Sequence, residues 1–190
     1  MIHRVTFVVI ILCFLSTACS KRKTAMDSVS LDVQTLPLIH SENVSSLVSD
    51  SGITRYRVIA QVWDIFDNPH PDSSYSYFPK GFYVEQFDSV FNVEGSIEGD
   101  TAYYYDKKSL WHLISNVKAI NLEKEKFETQ ELFWNEKLQK IYSDQAIRIE
   151  KPDGTVILGK GFESNSALTD YHIFKTYGIF YISEKNDSIP

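Results

Sequence analysis

The stretch TAYYYDKKSLWHLISNVKAI, from Thr101 to Ile120, decides the fold. Two runs of alternating polar and apolar residues flank a polar turn sequence at residues 106–109, which is typical of an antiparallel β-hairpin. Moved forward along the chain by thirty residues, and then by thirty again, the stretch superposes on residues 131–150 and 161–180. The sequence therefore predicts three successive hairpins of related shape.

One face of these three segments is mostly hydrophobic. It aligns as Ala102, Leu132 and Phe162; Tyr104, Trp134 and Ser164; Trp111, Ile141 and Tyr171; Leu113, Ser143 and Ile173; Ser115, Gln145 and Lys175; Val117, Ile147 and Tyr177; and Ala119, Ile149 and Ile179. Of these twenty-one positions sixteen are hydrophobic, whereas the chain as a whole is 43% hydrophobic. The triplet Ser115, Gln145 and Lys175 is polar throughout and interrupts this hydrophobic face, which we call the dry face.

The sequence predicts β-strands in the rest of the domain as well. From Gly52 onward no window shows sustained helical periodicity, and residues 91–98 alternate between polar and apolar side chains. We therefore predict an all-β fold of stacked antiparallel hairpins. Its dry face must be buried, either in a closed barrel or sandwich packed solid, or in a V-shaped jellyroll left open along one side. The large aromatic side chains either fill a core or line a cleft, and a core is the default.

The N-terminus predicts export and attachment to a membrane. The apolar run from Val5 to Leu15 is shorter than the roughly 20 residues of a bilayer-spanning helix, which favours a signal peptide over an uncleaved anchor helix. Residues 15–19, Leu-Ser-Thr-Ala-Cys, resemble a bacterial lipobox, with Cys19 as the lipid-attachment site. We expect a lipoprotein signal peptide at 1–18, a lipidated tether at 19–42, a β-domain at 43–182 and a disordered tail at 183–190.

Composition argues against several functions. A net charge of −6 and a pI near 5.4 exclude a nucleic-acid partner, because phosphate binding relies on clustered Lys and Arg. The five histidines lack metal-ligand spacing, and no nucleophile elbow or glycine-rich phosphate loop occurs. We expect no catalytic residues, no metal site and no cofactor, and therefore a protein that is not an enzyme.

A series of segments in the body resembles the LptC family, the periplasmic component of lipopolysaccharide export, particularly its lipoprotein-type members. The segments are, in order, Asp50–Ala60, Tyr77–Gly81, Glu85–Asp88, Asp100–Lys108, Leu110–Leu113, Asn116-Val117, Phe127–Gln130 and Gly161–Asn165. The resemblance implies a twisted β-jellyroll, open along one side, that carries the acyl chains of lipopolysaccharide in an apolar groove between the inner and outer membranes. It implies a lipid-anchored periplasmic protein, most simply at the inner membrane, that receives lipid from the ABC transporter subunits and passes it to a bridge protein of the LptA type.

On this basis we expect two kinds of site residue. The groove would be lined by Ala102, Tyr104, Trp111, Leu113, Val117, Leu132, Trp134, Ile141, Ile147, Phe162, Tyr171 and Ile173. The partner edges would be the strand with Gly52, Tyr56, Val58 and Ala60 towards the transporter, and the strand with Tyr177, Gly178 and Ile179 towards the bridge protein. The alternative is a structural, adaptor or glycan-binding periplasmic lipoprotein with a solid β-sandwich.

Overall fold

The computed structural model describes residues 36–67 and 74–180. Within them the chain forms eleven antiparallel strands joined in one sheet, with a single 3₁₀ turn at Asp106–Lys108. The strands are β1 (Ile39–Asp50), β2 (Ile53–Phe66), β3 (Tyr75–Phe78), β4 (Phe82–Phe87), β5 (Val93–Gly99), β6 (Thr101–Tyr105), β7 (Leu110–Ile120), β8 (Lys126–Asn135), β9 (Lys140–Glu150), β10 (Val156–Asn165) and β11 (Tyr171–Phe180). The predicted all-β, jellyroll-like fold is confirmed.

The predicted hairpins are those of β6–β7, β8–β9 and β10–β11. Strands β7 to β11 form a meander, each paired with the next. On its other side β7 pairs with β6 through residues 110–114 and with β5 through residues 118–120. In the same way β2 pairs with β3 at residues 64–66 and with β4 at residues 56–60, while β1 covers its opposite side.

A line of β-bulges crosses the sheet and bends its strands. The register shifts between Ile114 and Val117 on β7, between Thr129 and Phe133 on β8, and between Lys160 and Phe162 on β10. Such bulges kink a strand and allow it to pass from one layer of a fold to another. We call this line the crease; the polar interruption at Ser115 and Gln145 lies along it.

The crease divides the sheet into two layers that face each other. The Trp111 layer contains residues 62–66, 75–78, 101–105, 110–114, 132–135, 140–143, 162–165 and 171–173. The Phe127 layer contains residues 53–60, 82–87, 93–99, 117–120, 126–129, 147–150, 156–159 and 176–180. Phe127 packs across the space between the layers onto Phe162, at 6.2 Å between ring centroids, and onto Tyr171, edge to face at 5.3 Å. The layers thus form a V whose open side, opposite the crease, we call the mouth.

Glycine permits one of these bends. Gly161 sits in the β10 bulge with φ of +70°, in the left-handed region that side chains with a Cβ avoid. A Cβ built on Gly161 would lie 2.9 Å from Phe174 of the neighbouring strand. The bulge therefore requires both the backbone freedom of glycine and its lack of a side chain.

Several expectations about the chain ends fall outside the described residues. These are the signal peptide, the lipid-attachment site Cys19, most of the tether and the tail at 183–190, so they stay predictions. β1 begins at Ile39, within the segment expected to be tether. The part of the chain that the structure describes contains no helix with the length and hydrophobicity needed to cross a bilayer.

Candidate functional site

The space between the two layers is lined by a largely apolar surface. The surface arises because cross-strand partners repeat the same side-chain direction from strand to strand. One row runs from Tyr104 through Trp111, Trp134, Ile141 and Ser164 to Tyr171, crossing six strands. The thirty-residue repeat in the sequence reflects this row, because each hairpin contributes one residue from each of its two strands.

All twelve residues expected in the groove belong to the core between the layers. Ala102, Leu113, Val117, Leu132, Trp134, Ile141, Ile147 and Phe162 are buried, and Tyr104, Trp111, Tyr171 and Ile173 are partly buried against them. The interior is filled by these side chains together with other core residues such as Phe78, Phe82 and Phe127. The row therefore lines a packed space, and a guest molecule would have to separate the layers to enter it.

An aromatic cluster fills the part of the interior near Trp111. Its indole ring packs against Tyr104 at 4.4 Å, Phe82 at 4.9 Å and Phe78 at 5.8 Å between centroids. Phe78 and Phe82 come from β3 and β4, which the thirty-residue repeat does not include. The repeat alone therefore could not identify them, although both stand in the YSYFPKGFYV stretch that also carries strand-forming residues.

Glu136 anchors the polar edges of this cluster. Its carboxylate accepts a hydrogen bond from the Trp111 Nε1–H at 3.1 Å and another from the Tyr104 hydroxyl at 3.0 Å. Burial raises the pKa of the Tyr104 phenol to about 12, and the nearby Glu136 carboxylate adds to the effect. Burial likewise raises the pKa of Tyr56, with Glu136 again contributing. These groups stay protonated near neutral pH and act as hydrogen-bond donors.

A small apolar cavity lies at the mouth of the V. It has a volume of about 100 Å³ and is lined by Tyr56, Val84, Ile97 and Ile120 from the Phe127 layer, and by Trp134 and Leu168 from the Trp111 layer and its β10–β11 turn. An engineered cavity of about 150 Å³ accommodates benzene. The cavity is therefore too small for an acyl chain while the layers keep this spacing.

The expectation that β2 is a free edge is wrong. Gly52 lies in the turn before β2, and Tyr56, Val58 and Ala60 lie on β2, which pairs with β1 on one side and with β4 on the other. The sequence signal for β1 is weak because its residues, IHSENVSSLVSD, are mostly polar and its side chains are largely exposed. The outer strand on this side is β1, whose side chains Leu47 and Val48 are exposed.

The second predicted partner edge corresponds to strand β11. Tyr177, Gly178 and Ile179 lie on β11, which pairs with β10 alone among the described strands. Four large hydrophobic side chains of β11 are exposed: Phe174, Tyr177, Ile179 and Phe180. An edge strand with unpaired backbone groups and exposed apolar side chains is suited to strand addition.

Groups with metal or catalytic character are sparse. Within residues 36–67 and 74–180 no three His, Cys, Asp or Glu side chains cluster in a way that could hold a metal ion. His112 is partly buried; its ring hydrogen-bonds Glu131 at 2.7 Å and stacks on Phe133 at 4.3 Å between centroids. These contacts give His112 a structural role on the outer face of the sheet.

Comparison with known protein families gives a match. A family model described as "Lipopolysaccharide-assembly, LptC-related" matches residues 6–175, which is most of the chain. Among curated proteins no significant match is found.

Proposed function

We propose a function that starts from the family: the chain belongs to the LptC family of lipopolysaccharide-assembly proteins. The family is periplasmic, associated with the inner membrane, and takes part in lipopolysaccharide transport together with the transporter and bridge proteins. It is a transport and bridging family and is not known for enzymes. Within that transport, the part played by this chain depends on its interior and on its two outer strands.

We propose that the acyl chains of lipopolysaccharide pass between the Trp111 and Phe127 layers. The observation that carries the proposal is the row from Tyr104 to Tyr171, apolar except at Ser164. It lies inside a V whose mouth has no backbone ladder between the layers, in the part of the chain that the structure describes. Each methylene exposed to water costs about 0.8 kcal/mol. An apolar path through the periplasm lowers that cost for a lipid with several acyl chains and requires no covalent chemistry.

Because the interior is packed, the protein can carry an acyl chain only if the two layers separate. Phe162 and Ile141 are fully buried, so an acyl chain replaces contacts that the closed protein makes with itself. The exchange of one set of apolar contacts for another is nearly balanced in free energy, because both states bury comparable apolar surface. Such a balance suits a protein that must release its lipid as well as bind it, with the energy supplied by the ATPase partner.

The two outer strands supply the proposed partner contacts. We propose that β11 adds to a bridge protein of the LptA type, because its exposed apolar side chains and outer backbone edge favour strand addition. Because β2 is paired on both sides, we propose that β1, which lies furthest from β11 along the sheet, forms the transporter-facing edge. Cys19 would hold the chain to the inner membrane through its lipid.

Site-specific photo-crosslinking in cells tests the carriage. We expect a photoreactive side chain at Ile97 or Ile173, both partly buried between the layers, to label lipopolysaccharide. A matched photoreactive side chain at Tyr142, which stacks on Phe133 on the outer face, should give no label. Equal labelling at all three positions, or none at the two interior ones, would argue against passage between the layers.

A purely structural or adaptor role is the second candidate, and the filled interior is the observation that favours it. In that role the layers never separate and the protein acts through its edges alone. Depletion of the protein would then leave the amount of lipopolysaccharide at the cell surface unchanged, whereas the transport role requires that amount to fall.

A further inference from the structure

The mouth of the V is closed by the turn between β10 and β11. Leu168, in that turn, is only 3% exposed and belongs to the same core as Phe162 and Trp134. Its neighbours in the turn sequence Ser166-Ala167-Leu168-Thr169 also line the mouth cavity. A hydrophobic side chain from a surface turn therefore occupies the space between the layers at the point where they are not joined by strands.

The backbone of this turn is strained at the same residue. Leu168 has φ of +57°, a left-handed conformation that glycine and asparagine adopt readily and that a bulky side chain disfavours. The turn is otherwise well satisfied, because the Asn165 side chain accepts a hydrogen bond from the Thr169 N–H at 3.0 Å. The burial of the leucine side chain offsets the strain at Leu168, and withdrawal of that side chain from the core would release it.

A buried polar cluster holds the turn against the opposite layer. The Asn121 side-chain amide donates to the Leu168 carbonyl at 2.9 Å and to Glu125 Oε2 at 2.9 Å. The Tyr171 hydroxyl donates to Glu125 Oε1 at 3.3 Å, and Lys151 Nζ lies 3.1 Å from the same oxygen. Asn121, Glu125 and Lys151 lie at the ends of strands of the Phe127 layer, whereas Leu168 and Tyr171 belong to the other side of the mouth.

The Glu125 carboxylate is the centre of this cluster, and its burial makes the cluster sensitive to opening. Glu125 is 4% exposed, and the bond that Lys151 makes to it is the first cause of the raised pKa of Lys151. A buried carboxylate is stabilised strongly while all of its hydrogen-bond donors are in place. If one donor leaves and no water replaces it, the unpaired carboxylate oxygen costs free energy. Outward movement of the turn would take the Tyr171 hydroxyl from Glu125 and the Leu168 carbonyl from Asn121, so these bonds hold the turn closed.

We propose that Leu168 is the plug of the acyl-chain entry and that the Asn121–Glu125 pair is its latch. In the closed state the leucine side chain occupies the place that an acyl chain takes when it enters between the layers. The lipid displaces the plug, the turn moves outward and the layers separate at the mouth. This inference rests on the proposed carriage of acyl chains and adds the residues that control it.

The test measures how fast purified lipopolysaccharide enters the full-length protein, with a photoreactive side chain at Ile97 as the reporter. Leu168→Gly removes the plug and suits the left-handed backbone, so the turn keeps its path. We expect labelling about tenfold faster than in the unaltered protein, because the open fraction of the population rises. Leu168→Met keeps a side chain of similar volume and should label at the original rate, as should Leu138→Gly, which removes an exposed leucine from the β8–β9 turn.

The outcomes separate the plug from the carriage. Labelling of all variants at one rate overturns the plug and leaves the carriage intact. An absence of labelling in every protein, the unaltered one included, overturns the carriage itself and the plug with it. Faster labelling of Leu168→Gly alone supports both.

Hydrogen exchange on the unaltered protein gives a second test that no substitution can confuse. The Leu168 N–H donates to the Asn165 carbonyl at 3.1 Å in the closed turn. We expect its exchange to quicken when lipopolysaccharide is bound, while amides of the β8–β9 turn keep their rates. A Leu168 amide that stays equally protected with the lipid bound would overturn the plug.

Discussion

The phenol ring of Tyr56 meets the indole ring of Trp134 edge to face across the mouth of the V, with 5.7 Å between the ring centroids. Tyr56 comes from β2 and Trp134 from β8, so this pair joins the two layers directly. We expect Tyr56→Ala to lower the free energy of unfolding by about 2 kcal/mol, because it removes a half-buried ring and an aromatic pair. Tyr56→Phe keeps the ring and should change it by less than about 0.5 kcal/mol. Urea unfolding of both variants checks this, and an equal loss in the two would place the stabilisation in the hydroxyl group.

The Glu136 carboxylate accepts hydrogen bonds from two partly buried donors, the Trp111 indole N–H and the Tyr104 hydroxyl. We expect Glu136→Ala to lower the free energy of unfolding by about 2–4 kcal/mol, since each unsatisfied donor costs about 1–3 kcal/mol and water reaches part of the site. Glu136→Gln still offers an acceptor oxygen and should lose about half as much. Lys137→Ala, at the next residue on the exposed side of the turn, serves as the control. A loss for Glu136→Ala no larger than for that control would contradict a stabilising role for these two hydrogen bonds.

The raised pKa of Tyr104 predicts that the free energy of unfolding falls at alkaline pH. The folded-state pKa of about 12 lies above the ordinary value of 10.0, so the folded protein holds the proton more tightly than the unfolded chain. The corresponding stabilisation is fully present below pH 10 and is lost as the pH rises through 12. Glu136→Gln should lower the Tyr104 pKa only in part, because burial is the larger cause. Carbon-13 NMR of the tyrosine ring carbons measures it, and a Tyr104 that titrates near 10 in the unaltered protein would refute the assignment.

Gly161 tests whether the crease needs its glycine. Gly161→Ala should lower the free energy of unfolding by more than the roughly 1–2 kcal/mol cost of a left-handed alanine, because its Cβ would also press on the Phe174 ring at 2.9 Å. Gly52→Ala is the matched control, since Gly52 has φ of +80° and open space around its Cβ position. We expect Phe174→Ala to restore part of the loss in Gly161→Ala and to leave Gly52→Ala unchanged. Thermal unfolding of the four variants would show equal losses at the two glycines if the contact with Phe174 does not matter.

The sequence predicts the meander well and the mouth poorly, for physical reasons. Period-two alternation and the thirty-residue repeat identify β6 to β11, because residues such as Trp111 and Trp134 pair directly across adjacent strands. Contacts between distant segments leave no periodic mark, so the packing of Phe127 on Phe162 is invisible in either strand alone.

Two further features of the mouth are visible in the sequence only as residue types. Leu168 is a single leucine within the polar turn SNSALTD, and Glu125 stands in a turn rich in charge, NLEKEK. Neither composition reveals burial, which arises only when the layers fold against each other. The edge role of β1 is hidden for a related reason: its alternation is diluted by serine, so the pattern at Tyr56–Ala60 resembles that of a first strand.

The exposed side chains of β11 should decide binding to the bridge protein without affecting the fold. Tyr177 is 66% exposed and Ile179 50% exposed, so replacing both with aspartate should change the free energy of unfolding by less than about 1 kcal/mol. Binding to a bridge protein of the LptA type should weaken about tenfold, because each cross-strand side-chain pair contributes about 0.2–1 kcal/mol and the charges oppose strand addition.

The matched control at the other edge of the sheet is the double variant Leu47→Asp with Val48→Asp on β1. It should weaken binding to the transporter subunits and spare the bridge protein. Titration calorimetry with each partner measures the four affinities, and a β11 variant that binds the bridge protein as tightly as the unaltered chain would remove β11 from that interface.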